Sequence, residues 1–250
     1  MSVTRKIPLF QQLEIETNST CNRYCESCIR NSHPDREAVS SWFEPNLLPQ
    51  AVFEEACHQA IALGFRGALC LQHYNEPLQD PRIIELGRFA KTLPFSQVFI
   101  CSNADLIDEE KAQELDGVFD SIQIALYSHT EEQHIKREAW LRGQFKKTYL
   151  HFTKGVHIPT HFSPVFDTAA LAAQYVERPC TQPHIRMILN HKGQMLLCCD
   201  DVVGNFNLGT FPETPLEDLW FNERHQEMLL TLQQNGGRKA YPYCETCPRP

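Results

Sequence analysis

The sequence predicts an α/β fold: an open, partial (β/α) barrel of about five to six parallel strands, followed by a small C-terminal β-hairpin plus helix. Three observations predict it. Short β-rich runs alternate with amphipathic stretches from residue 13 to about residue 153, the pattern that builds βα units and a parallel sheet. Five such strands are too few to close an eight-stranded barrel. The pattern then changes near residue 165, and the last third places cysteines around a hairpin and at the terminus. Residues 1–165 are therefore expected as the core and 166–250 as a smaller C-terminal unit.

Taken in order, LEIET (13–17) alternates apolar and polar residues and reads as a strand ending at a cysteine-rich loop. Residues 50–63 carry apolar side chains at helical spacing behind Pro49 and stop at Gly64. Strand, helix and strand follow at 68–73, 81–93 and 97–102, then a helix at 107–115 with acids early. A strand at 121–126, a helix at 129–141 and a strand at 149–153 complete the core. IRMILNHKGQMLLCC reads as two short strands around a Lys192-Gly193 turn. PLEDLWFNERHQEMLLTLQQ reads as one helix with Leu216, Leu219, Trp220 and Met228 on its apolar side.

A chain of 250 residues can bury a sizeable core. Its net charge of −8, with no basic run beyond a Lys-Lys pair, argues against nucleic acid as the main partner. MSVTRKIPLFQQ lacks the apolar stretch of a secretory signal, and no window is long enough to span a membrane. Eleven cysteines without such a signal point to metal-bound thiolates in a reducing compartment, with the cytoplasm expected.

The chemistry centres on TNSTCNRYCESCIRN (17–31). Cys21, Cys25 and Cys28 form a C-x3-C-x2-C run, so three thiolates can converge on one inorganic cluster from a tight loop. Structural zinc sites and electron-transfer clusters normally take four protein ligands, whereas this run leaves one corner free. Buried apolar cysteines or half a zinc site are the bland alternative, which the polar neighbours Asn22, Arg23, Glu26 and Ser27 disfavour.

The run resembles that of the radical S-adenosylmethionine (SAM) superfamily, in which three cysteines hold a [4Fe–4S] cluster whose fourth iron is chelated by SAM. His73-Tyr74-Asn75-Glu76-Pro77 resembles the superfamily's Gly-Gly-Glu-Pro segment, which receives the SAM ammonium, although Tyr74 and Asn75 replace the two glycines. Cys101-Ser102-Asn103-Ala104 resembles its Thr-Asn-Gly turn, with Ala104 in place of glycine. The resemblance implies SAM contacts from Tyr74, Asn75, Glu76, Ser102 and Asn103. Position 27 is Ser where many members carry an aromatic residue. A basic residue over SAM or substrate comes from Arg30, Lys154 or Arg186, each ordinarily a surface charge.

In the last third, Cys180, Gly193 and Cys198 fall in C-x12-G-x4-C, and Cys244 and Cys247 form C-x2-C. In an isolated domain this pattern would favour zinc. With the G-x4-C hairpin, the Asn207-Leu208-Gly209 turn and the PLEDLW helix, it resembles instead the SPASM/twitch extension of radical SAM enzymes. The resemblance implies a second [4Fe–4S] cluster on Cys180, Cys198, Cys244 and Cys247, with Cys199 as an alternative to Cys198. The chain stops three residues after Cys247, which reads as the shorter twitch form.

The implied reaction is reductive cleavage of SAM to a 5′-deoxyadenosyl radical, which removes a substrate hydrogen. Similarity to twitch-type aminocyclitol dehydrogenases leads to two-electron oxidation of a small polyol or amino sugar, with the auxiliary cluster as electron acceptor. The partners expected are that small molecule and a one-electron reductant of flavodoxin or ferredoxin type. Epimerisation, bond formation or peptide modification by the same radical is the rival, with Cys101 and Cys199 as candidate hydrogen donors or redox thiols. Cys57 and Cys70 read as packing. A non-catalytic iron–sulfur or zinc protein is the reading from another class, and it predicts no SAM cleavage.

Overall fold

The computed structural model of the chain describes residues 5–127, 130–154 and 159–250, the side chains of residues 38 and 154 apart. The core begins with β1 (Gln12–Ile15), two short helices α1 (Ile29–Ser32) and α2 (Arg36–Trp42), and the longer α3 (Gln50–Ala62). Four further strands follow with their helices: β2 (Ala68–Cys70), α4 (Ile83–Ala90), β3 (Gln97–Ser102), α5 (Glu109–Leu115), β4 (Ser121–Leu126), α6 (Glu131–Gln144) and β5 (Tyr149–Lys154). Then come α7 (Thr168–Tyr175), α8 (Gln182–Ile185), the hairpin β6 (Arg186–Leu189) and β7 (Met195–Leu196), α9 (Leu216–Trp220), α10 (Glu223–Leu232) and α11 (Pro242–Glu245).

All seven strands form one sheet in the order β5-β4-β3-β2-β1-β6-β7. Among the described residues six strands are parallel, and only β7 runs antiparallel, against β6. The expected partial barrel is therefore present. The hairpin extends it, because Gln12–Ile15 pairs in parallel with Arg186–Leu189.

Strand register gives the sheet two chemically different faces. Leu13, Ile15, Leu69, Leu71, Val98, Ile100, Ile122 and Ile124 share one face, are almost wholly buried, and join the core with Phe53, Ala56 and Ala60 of α3. Each such side chain contributes about 2 kcal/mol relative to exposure. The opposite face carries Glu14, Cys70, Cys101, Gln123, His151 and Arg186, interrupted by Phe99 and Ile188. A parallel sheet normally buries apolar residues on both faces, so a polar face marks where a ligand belongs.

Local chemistry sets the helix starts. Asp108 accepts from the Lys111 amide at 2.8 Å, and Thr130 forms a capping box with Gln133 at the head of α6. The expected start of that helix at residue 129 lies outside the described residues. The single helix expected over 215–234 is two helices, α9 and α10. Asn222 causes the break: its side chain accepts from the His225 amide at 2.7 Å and begins a new helix there.

Candidate active site

β1 ends in a buried polar run, Glu16, Thr17, Asn18 and Ser19, and the chain then enters the three-cysteine loop. The Cys28 amide donates to the Cys25 carbonyl at 3.1 Å, and the Asn31 side-chain amide donates to the same carbonyl at 3.0 Å. The Asn31 and Ser32 amides close α1 onto the Cys28 carbonyl at 2.8 and 2.9 Å. Burial pushes the Cys28 thiol up to about 11 and the Cys21 thiol upward, and the neighbouring thiols add to both. Tyr127, beyond the end of β4, lies against Cys25, and burial with that neighbour pushes its hydroxyl up to about 12. The Arg23 guanidinium sits 4.7 Å from the Tyr127 ring centre and is tied to Asp105 at 2.6 Å.

The two polar segments expected at the strand ends are locked to this loop. The Glu76 amide donates to the Thr20 carbonyl at 2.8 Å, and the Asn18 side-chain amide donates to the Glu76 carbonyl at 3.3 Å. Asn75 bonds Asn18, and the Tyr74 amide donates to Glu16 Oε1 at 3.0 Å. The buried Glu76 carboxylate accepts from the Leu78 amide at 3.1 Å, the Ser102 hydroxyl at 2.8 Å and the Asn103 amide at 2.9 Å. Its carboxylate thus joins the end of β2 to the end of β3. Asn103 in turn donates to the Asn22 side chain in the cysteine loop at 2.9 Å. Ala104 adopts φ +58°, the left-handed conformation for which glycine was expected, at a cost of about 1 kcal/mol. Its amide donates to Ser102 Oγ at 2.9 Å.

Of the three basic candidates, Arg30 braces the loop, stacking 4.0 Å over Phe43 and donating to the Ser19 and Tyr74 carbonyls. Arg186 lies on the polar face, where it pairs with Glu14 at 2.9 Å. The Lys154 side chain lies outside what is described. Cys101 is on the same face, its Sγ 3.6 Å from Gln123 Oε1 and beside Cys70, whose thiol burial pushes well up. Cys57 is buried in the core, as expected for a packing residue.

Two buried carboxylate–imidazole pairs built on β1 and its extension were missed by the sequence reading, as was the pair of His161 with Asp200. Glu14 Oε2 lies 3.4 Å from His73 Nδ1, and Glu16 Oε2 lies 2.6 Å from His191 Nδ1. The Nε2 atoms of both histidines are buried and, among the described residues, have no partner. The alternation in LEIET does put Glu14 and Glu16 on one face of β1. Nothing local indicates which residues come to meet them.

The second cysteine group draws on the stretch before α8, the end of the hairpin and the last residues of the chain. Gly193 makes the hairpin turn at φ +76°, and a Cβ there would lie 2.1 Å from the Phe211 carbonyl oxygen. Cys198 follows β7, and burial pushes its thiol well up, with Cys199, Asp200 and Asp201 adding. Burial, with Cys180 and Cys247 beside it, pushes Cys244 up to about 12. Cys247 is pushed up to about 11 by burial, with Asp200 and Cys180 nearby. Cys199 turns elsewhere. Its Sγ accepts from Arg249 at 3.4 Å, and its charged neighbours include Arg186 and Glu14 of the polar face. The Tyr74 hydroxyl donates to the Cys199 carbonyl at 2.9 Å, joining the first site to the second. His161, Asp200 and Cys247 also approach one another, but His161 already uses both ring nitrogens, on Asp200 and on the Tyr243 carbonyl.

Both thiol groups fit a bound iron–sulfur cluster. Buried thiols with raised values ionise only beside a compensating cation, and ligand thiolates must be ionised. Arg238 adds a second indication. It is 1% exposed, donates to the carbonyls of Arg178 at 3.1 Å and Arg249 at 2.7 Å, and leaves Nη2 unpartnered. Among the described residues no carboxylate pairs with it. Its charge lies instead beside Cys244 and Cys247. A buried cation without an anion fits a site that gains negative charge when loaded.

Comparison with known proteins agrees with this geometry. A family model, SPASM, an iron–sulfur cluster-binding domain, matches residues 180–248. The S-adenosyl-L-methionine-dependent 2-deoxy-scyllo-inosamine dehydrogenase of Niallia circulans is 24% identical over 243 residues, covering 96% of this chain and 93% of that protein. The structure of BtrN with AdoMet and 2-DOIA superposes with a TM-score of 0.73 at 19% identity, covering 97% of this chain and 94% of BtrN. AdoMet-bound anSMEcpe gives 0.61 at 14% identity, with coverages of 96% and 85%. Streptococcus suis SuiB bound to its precursor peptide SuiA gives 0.56 at 14%, with coverages of 96% and 75%. The chain therefore has the radical SAM partial-barrel fold, and its residues 180–248 match the SPASM iron–sulfur cluster-binding domain.

Proposed function

We propose that this chain is a radical SAM dehydrogenase that oxidises a hydroxyl group of a small polyol or amino sugar by two electrons. The observation that carries the reading is a three-cysteine loop after β1 and a second cysteine group after the neighbouring β6–β7 hairpin, linked by the Tyr74 hydroxyl on the Cys199 carbonyl, with the polar face of the sheet beside Cys199. Similarity along nearly the whole chain to a 2-deoxy-scyllo-inosamine dehydrogenase supports the substrate class.

In this reading residues 1–165 form the SAM core and 166–250 the auxiliary unit. Cys21, Cys25 and Cys28 would hold a [4Fe–4S] cluster with one corner left for SAM, and Cys180, Cys198, Cys244 and Cys247 would hold a second. When bound, these groups supply one-electron reductive cleavage of SAM, a carbon-centred hydrogen acceptor, and an acceptor for the second electron. Tyr74, Asn75, Ser102 and Asn103 line the SAM site. Glu76 fixes the two segments relative to each other, so that neither has to be ordered when SAM arrives. Arg186, held against Glu14 on the polar face, offers donors for hydroxyl groups of the substrate. The reductant is of the flavodoxin or ferredoxin class.

The test is anaerobic reconstitution with iron and sulfide, followed by reaction with dithionite, SAM and 2-deoxy-scyllo-inosamine. Formation of 5′-deoxyadenosine with a ketone product is expected. Stoichiometric zinc at the second site, or no SAM cleavage, overturns the reading.

Cys199 favours a second reading. Its thiol has Arg186 and Glu14 of the polar face among its neighbours, where it would be able to return a hydrogen atom to a substrate radical. Epimerisation would then replace oxidation, and deuterium from solvent would enter recovered substrate.

A further inference from the structure

Removing two electrons from an alcohol also releases a proton, and that proton needs an acceptor at the hydroxyl oxygen. We propose that His73 is this acceptor and that Glu14 is its positioning residue; the inference rests on the dehydrogenase reading above.

The His73 side chain is 3% exposed and lies three residues beyond β2, on the polar side of the sheet. Its Nδ1 faces Glu14 Oε2 at 3.4 Å. Glu14 is itself held by Arg186 at 2.9 Å and by Gln12 at 2.6 Å. A carboxylate on Nδ1 fixes the tautomer that carries its proton there, which leaves the lone pair on Nε2. That Nε2 is buried and has no partner among the described residues. A buried polar nitrogen with no partner costs roughly a whole hydrogen bond, so the site is incomplete without a ligand.

The segment that carries this nitrogen is tied to the neighbourhoods of both cysteine groups. Asn75 and Glu76 attach it to the first through Asn18 and Thr20, and Tyr74 attaches it to Cys199. Other titratable groups nearby are already engaged. Glu16 gives one oxygen to the Tyr74 amide and the other to the backbone and ring of His191, which makes that pair a brace. The Tyr74 hydroxyl donates to a carbonyl, and burial holds it well above its ordinary value. Asp200 is engaged by His161 and Arg249.

The step balances as follows. The carbon bearing the hydroxyl loses a hydrogen atom to the SAM-derived acceptor, and the O–H bond breaks with its proton going to His73 Nε2. One electron passes to the iron–sulfur acceptor as the C=O bond forms.

The test uses the reconstituted holoenzyme with 2-deoxy-scyllo-inosamine deuterated at the carbon to be oxidised. For H73Q, ketone formed per 5′-deoxyadenosine is expected to fall roughly 100-fold, the usual scale of general base catalysis. Deuterium transfer into 5′-deoxyadenosine should stay within about threefold, and calorimetric affinity for the probe within about fivefold, because binding and abstraction do not need the proton acceptor. For E14Q, ketone formed per 5′-deoxyadenosine is expected to fall roughly tenfold while deuterium transfer and probe affinity hold, since the carboxylate that orients the ring is gone. Glu16, Asp201 and Tyr74 also lie beside this ring, and Arg186 beside Glu14, and all stay unchanged in that comparison. Unchanged ketone yield in H73Q or in E14Q overturns the assignment. So does an equal loss of deuterium transfer and ketone, which would make His73 a substrate-ordering residue. If H73Q assembles no clusters, H73N is read against the same outcomes. Wild-type enzyme that cleaves SAM but oxidises nothing removes the dehydrogenase reading itself, a result distinct from any of these.

Discussion

Arg238 donates to the carbonyls of Arg178 and Arg249, two residues before Cys180 and two residues after Cys247. It therefore holds both stretches that carry the second cysteine group, and its positive charge has no carboxylate partner among the described residues. A cluster there would feel that charge directly. In R238M the midpoint potential of the second cluster should fall by on the order of 50–100 mV, since a nearby cation favours the more negative, reduced form. Electron paramagnetic resonance during a redox titration reads this, and an unmoved midpoint refutes it. Glu76 gives a second case. E76Q places a donor where Ser102 and Asn103 both need an acceptor, so SAM affinity should drop about tenfold, some 1.4 kcal/mol. Equilibrium SAM binding to the holoenzyme checks it, with unchanged affinity as the contrary result. The cysteines were legible in sequence because their spacing is local. His73 with Glu14, and Arg238 with its two carbonyls, were not, because sheet register and chain closure bring those partners together.

Elements were legible where periodicity and capping agree. β3 and β4 occupy the expected residues 97–102 and 121–126, and α3 runs from Gln50 as expected. The break between α9 and α10 escaped because apolar spacing continues through it, while a single side chain, Asn222, decides the geometry. That junction holds a titratable core residue. His225 Nδ1 donates to the Trp220 carbonyl at 2.7 Å, and burial pulls its value from 6.5 down to about 4. The folded state thus binds fewer protons than the unfolded state between those values. Stability is full above about pH 6.5 and is lost as pH falls toward 4. Between about pH 7.5 and 5.5 the wild type should lose on the order of 1 kcal/mol that H225Q does not. Urea unfolding at the two pH values measures it, and parallel losses in both proteins would show that His225 is not the cause.

At the scale of the molecule, the sheet explains how two cysteine groups far apart in sequence come to follow neighbouring strands and hairpins. β1 pairs with β2 on one side and β6 on the other, so the strand that delivers the first cysteine loop also carries the hairpin that leads to Cys198. Alternating strands and helices announced the first five strands. The sixth was expected as a hairpin strand, but its parallel pairing with β1 was not, because a pairing between residues 12–15 and 186–189 leaves no signal in either segment. Cys198 and Cys199 have different surroundings, one beside Asp200 and Asp201, the other beside Arg249, Arg186 and Glu14. The consequence is measurable after reconstitution. C198A should fall from about eight irons to about four and still form 5′-deoxyadenosine, because the first loop keeps its three thiols. Its ketone yield should drop at least roughly 100-fold, because the second electron then has nowhere to go. C199A should keep about eight irons, since its thiol faces the polar side of the sheet. If C199A loses the four irons and C198A keeps them, the two neighbours exchange roles, and the auxiliary site must open toward Glu14 and Arg186.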